Sequence, residues 1–392
     1  MRLAASLSLV LLVAACAEEA KPPKAPEAPA LSLTPVAFAD LPGWGEDDAA
    51  GALAAFRLSC DRWSRLPDDR SVGGQDGFAG TVAAWRDVCE AAAEASDARG
   101  FFADRFAPFA VADRGEAEGL FTGYFEPVLD GSRAPDQVHR YPIYRRPPDL
   151  VSVDLGRFDP ELEGRRIAGR VEDGRLVPYA DRAAIDAGAL TGRGLELFWV
   201  DDPIDRFFLE IQGSGQVRLR EGGVARLGYA DQNGHPYHAI GRDLIAEGAI
   251  PREQMSMQAI RAWLETHPER APELMQRNRS YVFFTELVDL ATASGPLGAM
   301  GVPLTPGRSL AIDRKFLPLG APMWLDTTAP EPEGERQLRR LMVAQDTGGA
   351  IRGPVRGDVF WGAGPRAAHL AGHMKSPGRL FILLPRNLAP VG

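Results

Sequence analysis

Three aspartates at the ends of short apolar runs carry the clearest chemical potential in this 392-residue chain. Asp346 follows Leu341-Met342-Val343-Ala344-Gln345 and leads into Thr347-Gly348-Gly349. Asp358 opens Val359-Phe360-Trp361, and Asp313 closes Ser309-Leu310-Ala311-Ile312. Runs of this length and composition read as buried strands, and the glycines after Asp346 permit a tight turn beside the acid. Acids at strand ends can converge on one rim of a small barrel. A carboxyl half-shielded from water there keeps its proton to higher pH, as a general acid requires. The competing reading is turn chemistry, because Asp beside Gly caps its own backbone. Spacing alone assigns no roles to the three.

Other chemistries find little support. No serine sits in a G-x-S-x-G elbow, and Gly213-Ser214-Gly215 lacks the spacing of a phosphate loop. His369 and His373 have the i,i+4 spacing of a helical metal pair but lack the Glu of H-E-x-x-H and an evident third ligand. The sequence therefore gives no metal and no cofactor. Carboxylate chemistry among polar and aromatic groups remains, and it favours glycosidic bond cleavage over acyl or phosphoryl transfer. Gly119–Pro127, GLFTGYFEP, reads as a strand that stops at its proline; its aromatics suit either a wall for a sugar ring or plain strand core.

The elements that position these groups are mostly short strands. The 42 glycines and 32 prolines suit many turns, and 392 residues suit two domains. A balance of 44 basic against 53 acidic residues, net −9, argues against a nucleic-acid partner. Arg2 and the apolar Leu3–Ala15 form a signal segment, residues 1–15, too short to span a bilayer. Residues 16–39 read as an extended Pro/Ala-rich tether. Helices are expected near 47–64 and 80–98, and a third from an N-cap at Ser256 to Pro268. Leu53, Phe56, Cys60 and Trp63 share one helical face, and Cys89 lies one turn from Trp85. In an exported protein Cys60 and Cys89 suggest one disulfide, with two buried free thiols as the alternative. Leu195–Val200 and Arg206–Gln212 read as buried strands, followed by a period-2 strand at Gln216–Leu219 and an Asn233-Gly234 turn.

Taken together, FTGYFEP, EIQGSGQVRL, GYADQNGHPY, SMQAIRAWL, SYVFF, GVPLTPGRSLAIDRKFLPLGAPMWL and AQDTGGAIRG…GDVFWG resemble the membrane-bound lytic transglycosylase A family of bacterial cell walls. Val13-Ala14-Ala15-Cys16 resembles a lipoprotein lipobox, which implies acylation of Cys16. Ala17 is not the aspartate that holds such proteins in the inner membrane, so the resemblance points to an outer-membrane lipoprotein facing the periplasm. The resemblance implies an α+β, mainly β fold: a double-psi β-barrel domain with flanking helices and an inserted second β domain, the substrate groove between them. Carried over, the barrel combines 40–125 with 279–392, its triple-aspartate segment spans about 285–385, and the insert is 126–278. Asp346 matches the family's catalytic acid, and Asp313 and Asp358 match its supporting acids. Thr122, Tyr124, Gln212, Ser214, Tyr229 and Asn233 fall in matched motifs, where they either bind sugar or hold their own loops. The implied partner is the peptidoglycan glycan strand, with cell-wall enzyme complexes as a further class. The implied reaction cleaves the N-acetylmuramic acid–N-acetylglucosamine bond with one Asp acting as acid and then base, giving 1,6-anhydro ends. Two alternatives stand beside it: an inverting hydrolase using Asp346 and Asp358, and a non-catalytic murein-binding lipoprotein.

Overall fold

The computed structural model describes residues 28–162, 165–288, 295–331 and 334–388; the signal segment and Cys16 lie outside them. Six strands close into a barrel in the order Gly119–Glu126, Lys375–Pro385, Pro322–Glu331, Gly334–Asp346, Ser309–Ile312 and Arg356–Ala363, which returns to Gly119–Glu126. Closure depends on the length of Lys375–Pro385. Its first residues, Lys375–Gly378, pair with Gly119–Thr122, and its later ones pair with Pro322–Glu331 and with Phe106–Asp113. Met323, Trp324, Leu341–Ala344 and Ile382–Leu383 are fully buried, so these strands are apolar on both faces between the barrel interior and the N-terminal helices.

Those helices, Ala50–Trp63, Arg86–Glu94 and Ala98–Arg105, cover one side of the barrel. Phe56 lies within 5.6–6.4 Å of the rings of Trp63, Trp85, Phe101, Phe102 and Phe106, an aromatic cluster that anchors helix to strand. Cys60 and Cys89 are disulfide-bonded with Cα atoms 5.3 Å apart, joining the first two helices. Asp47 accepts from both terminal nitrogens of Arg308, at 2.7 and 3.0 Å, and from the Leu341 N–H at 3.0 Å, pinning the chain before the first helix to two barrel strands.

The second domain is a six-stranded sheet in the order Val282–Glu286, Val224–Gln232, Gly215–Leu219, Val128–Ser132, Glu196–Val200 and Tyr141–Tyr144, with a separate three-stranded sheet over Val151–Pro178. Pro127 marks the crossing from the barrel strand into this sheet, since it cannot donate to a ladder.

Three expectations need correction. The tether does not reach residue 39: Leu31–Pro35 pairs antiparallel with Phe106–Asp113, because Leu31 and Leu33 pack on the barrel core. The inserted domain does not end at 278: Val282–Glu286 hydrogen-bonds to Val224–Gln232, not to the barrel. Arg206–Gln212 is not a strand but part of the helix Pro203–Gln212, capped by the Asp202 side chain on Ile204 N at 2.7 Å and ended by Gly213 at φ +77°. That helix is buried nearly all round. Its polar face is buried as well as its apolar one: the Glu210 carboxylate accepts from the equally buried Arg182 at 2.7 Å, and Arg206 donates to Asp186 at 2.6 Å.

Candidate active site

The barrel register sets the carboxyls. Ala311 pairs with Asp346 on one neighbouring strand and with Asp358 on the other, and Asp358 pairs in turn with Thr122. Thr122, Asp358, Ala311 and Asp346 thus form one row across four strands. Two strand spacings separate the backbones of the two acids, about 10 Å. Tyr124, two residues beyond Thr122 and on the same face, reaches back over Phe360, whose ring centroid is 5.2 Å from its own.

Asp346 is half-buried, and both of its oxygens are held. Its Oδ1 accepts from the backbone N–H groups of Ala299 and Thr347, each at 2.9 Å. Its Oδ2 accepts from the Tyr124 hydroxyl at 2.8 Å. Burial raises the carboxyl above the usual aspartate range, and the three donors oppose that rise without cancelling it. Tyr124, 9% exposed, is pushed well above the ordinary phenol value, first by burial and then by the Asp346 charge. It therefore stays a donor at any physiological pH. Gln345 positions the acid from behind. Its fully buried amide donates to Ala55 O at 2.8 Å and Ser59 Oγ at 3.1 Å on the first helix, and accepts from Ser309 Oγ at 2.6 Å. Its backbone carbonyl takes Met300 N–H at 3.1 Å.

The other two acids are built differently. Asp358 Oδ1 accepts from Thr122 Oγ1 at 2.6 Å, and that hydroxyl accepts from Arg356 Nη2 at 2.8 Å. Burial raises Asp358 to about 6; Thr122 and Arg356 restrain the rise, and the Asp346 charge adds to it. Asp313, 3% exposed, accepts from the backbone N–H groups of Lys315 at 3.1 Å and Gly353 at 2.9 Å. It ties the segment after Asp346 back to the barrel, where Thr347 Oγ1 also donates to Ile312 O at 2.9 Å.

The remaining residues singled out from the sequence divide. Thr122 and Tyr124 join the acids directly. Gln212, at the end of its helix, spends its side-chain oxygen on Phe125 N–H at 3.1 Å, which fastens the second domain to the strand bearing Thr122 and Tyr124. Ser214 is buried. Tyr229 is 50% exposed, and its phenol is pushed up to about 12 by burial and by Asp231. Asn233 is not a groove residue. It is fully buried, its amide donates to Ala180 O and Arg279 O at 3.0 and 2.9 Å, and its oxygen takes Tyr281 N–H at 3.0 Å. It pins the loop that turns at Gly234, whose φ of +86° brings its backbone against Ala168 O. Sequence reading missed the Ala299 N–H, which no side chain signals, and Arg356, whose burial beside Thr122 follows only from strand pairing. His369 and His373 lie tilted against each other on one helix, His373 Nδ1 lies 2.9 Å from His369 O, and no group of three side chains placed to hold a metal occurs among the described residues.

The fold has counterparts among known proteins. The MltA specific insert domain matches residues 120–285 and the 3D domain matches residues 308–384. Membrane-bound lytic murein transglycosylase A of Vibrio cholerae is 36% identical over 278 residues, spanning 69% of this chain and 67% of its own. The Escherichia coli protein of that name is 36% identical over 269 residues, spanning 67% and 65%. Among solved structures, the membrane-bound lytic murein transglycosylase of Agrobacterium tumefaciens superposes with a TM-score of 0.80 at 37% identity, covering 91% of this chain and 98% of that one. Escherichia coli MltA with bound chitohexaose gives 0.65 at 29% identity, covering 92% of each. This chain belongs to the membrane-bound lytic murein transglycosylase A family.

Proposed function

We propose that the chain is a peptidoglycan lytic transglycosylase that cleaves the β-1,4 bond between N-acetylmuramic acid and N-acetylglucosamine and leaves 1,6-anhydro ends, with Asp346 as the only proton carrier. The observation that carries this reading is the bonding of Asp346. Two backbone N–H groups occupy Oδ1, so the acidic proton belongs on Oδ2, where Tyr124 fixes the carboxyl plane. The Oδ2 proton passes to the bridging oxygen as the anomeric C–O bond breaks, and N-acetylglucosamine leaves with a neutral hydroxyl. The muramic 6-hydroxyl then bonds to the anomeric carbon and gives its proton to Oδ2, which restores the acid without water. Because the nucleophile is carried by the same sugar, proximity takes the place of a separately bound and activated water. The chitohexaose held by the Escherichia coli relative supports a glycan strand as the partner.

A hydrolytic reading keeps one observation in its favour. Asp358 senses the Asp346 charge, so the row holds a second carboxyl of the kind an inverting hydrolase needs to activate water. Mass spectrometry of murein digested by the chain lacking residues 1–16 decides between the two. Anhydromuramic ends are expected; reducing ends would overturn the transglycosylase reading.

The same proposal extends to location: acylation of Cys16 anchors the chain to the outer membrane on its periplasmic face. The relatives carry the description membrane-bound, and no helix among the described residues is long and apolar enough to span a bilayer. Replacing Cys16 by Ala should move the protein from the membrane to the soluble fraction on cell fractionation; a variant still sedimenting with membranes would refute the anchor.

A further inference from the structure

A second charged feature sits outside the barrel wall, away from the acids. A cleft of about 330 Å³ is lined by Gly307, Arg336, Arg340, Trp361, Arg366 and Leu370. Arg336 and Arg340 lie on the strand that ends at Asp346, and six residues of extended chain put Arg340 about 20 Å from that acid. Glu331 accepts from Arg336 Nε at 2.6 Å and lies 3.7 Å from Arg366 Nη2, so one carboxylate serves two guanidiniums at the rim. Among the described residues Arg340 has no carboxylate in ion-pair range; it donates to the Gly307 carbonyl at 3.2 Å. Asp47, the acid that acts on it, is already chelated by Arg308. Burial and the neighbouring Arg308 and Arg336 charges disfavour the Arg340 cation.

We infer that this cleft binds a doubly charged phosphate group, with Arg340 as its floor and Arg336 and Arg366 as its walls. Among the described residues three guanidiniums face the one Glu331 carboxylate, which leaves two positive charges unmatched and suits a phosphate dianion better than a carboxylate. Planar guanidiniums also offer the paired N–H donors that phosphate oxygens accept. The site is independent of the glycan reaction.

Isothermal titration of the full-length protein in detergent at low salt, with inorganic phosphate, glycerol 3-phosphate and acetate, tests the inference. Saturable phosphate binding is expected, at least about tenfold tighter than acetate and weakened at least about tenfold by Arg340→Gln. Glycerol 3-phosphate binding as tightly as inorganic phosphate would mark a phosphate carried by a larger molecule; clearly weaker binding would mark the free anion. Arg366 is 78% exposed, so Arg366→Gln leaves packing intact and should also weaken phosphate if Arg340→Gln fails to fold. No saturable phosphate binding, acetate binding equally well, or affinity unchanged in the folded variants would each overturn the proposal.

Discussion

Asp346→Asn should lower muropeptide release by roughly 10³-fold or more while the protein stays folded and still binds sacculi. The amide keeps a carbonyl oxygen for the Ala299 and Thr347 N–H groups, so the strand end has no reason to move. Its NH2 group faces the Tyr124 oxygen, which can accept where it now donates. What disappears is the dissociable proton, and neither companion acid can replace it. Asp313 is closed off by backbone donors, and Asp358 is bound into the Thr122–Arg356 chain. Stability at neutral pH should not fall, because burial makes the ionised Asp346 carboxylate costly to hold and the amide removes that charge. Release rates on purified sacculi, read beside the melting temperature, test both statements; wild-type release from the folded variant would remove Asp346 from the mechanism.

The acids were legible because strand-end aspartates beside glycine follow from local pattern, and so do helix caps: Ser256 Oγ accepts Ala259 N–H at 3.1 Å as its position before an apolar periodic run implies. The face built by Leu53, Phe56, Cys60 and Trp63 is buried for the same reason. What local pattern cannot carry is partnership across the chain. Tyr124 lies 222 residues from the carboxyl it holds, and nothing in FTGYFEP separates a ring that stacks on sugar from one that orients an acid. Asn233 in its Asn-Gly turn looks like a free amide until strand pairing buries it. The helix Pro203–Gln212 read as a strand because a short apolar run such as Phe207-Phe208-Leu209 cannot be told from a buried strand by itself, and the partner Arg182 that lets Glu210 be buried lies on another element. Tyr124 and Asn233 share one cause: a polar side chain whose partner lies on another element cannot be told from one that faces a ligand.

That cause also governs the cost of the site. Asp358 has an ordinary value of 3.8 in the unfolded chain and about 6 in the fold. Below pH 4 both states hold its proton and the fold loses nothing. As pH rises through 4 to 6, the unfolded chain releases the proton first, so stability falls, and above 6 the full penalty remains. The shift corresponds to about 3 kcal/mol, or about 2 kcal/mol after discounting for the half-exposed carboxyl. Asp358→Asn should therefore be more stable than the parent at pH 7 by that amount, a rise of several degrees in melting temperature, and the gain should shrink steadily toward pH 4. The Asn oxygen still accepts from Thr122, so the row keeps its geometry. Activity separates the roles of the acid. If Asp358 only shapes the field around Asp346, the variant works more slowly and still yields anhydro ends. If it activates water, no product with a reducing end survives its loss. A melting temperature lowered at pH 7, or a gain that persists unchanged at pH 4, would show that the carboxylate is held without strain and that stability is not sacrificed at this position for catalysis.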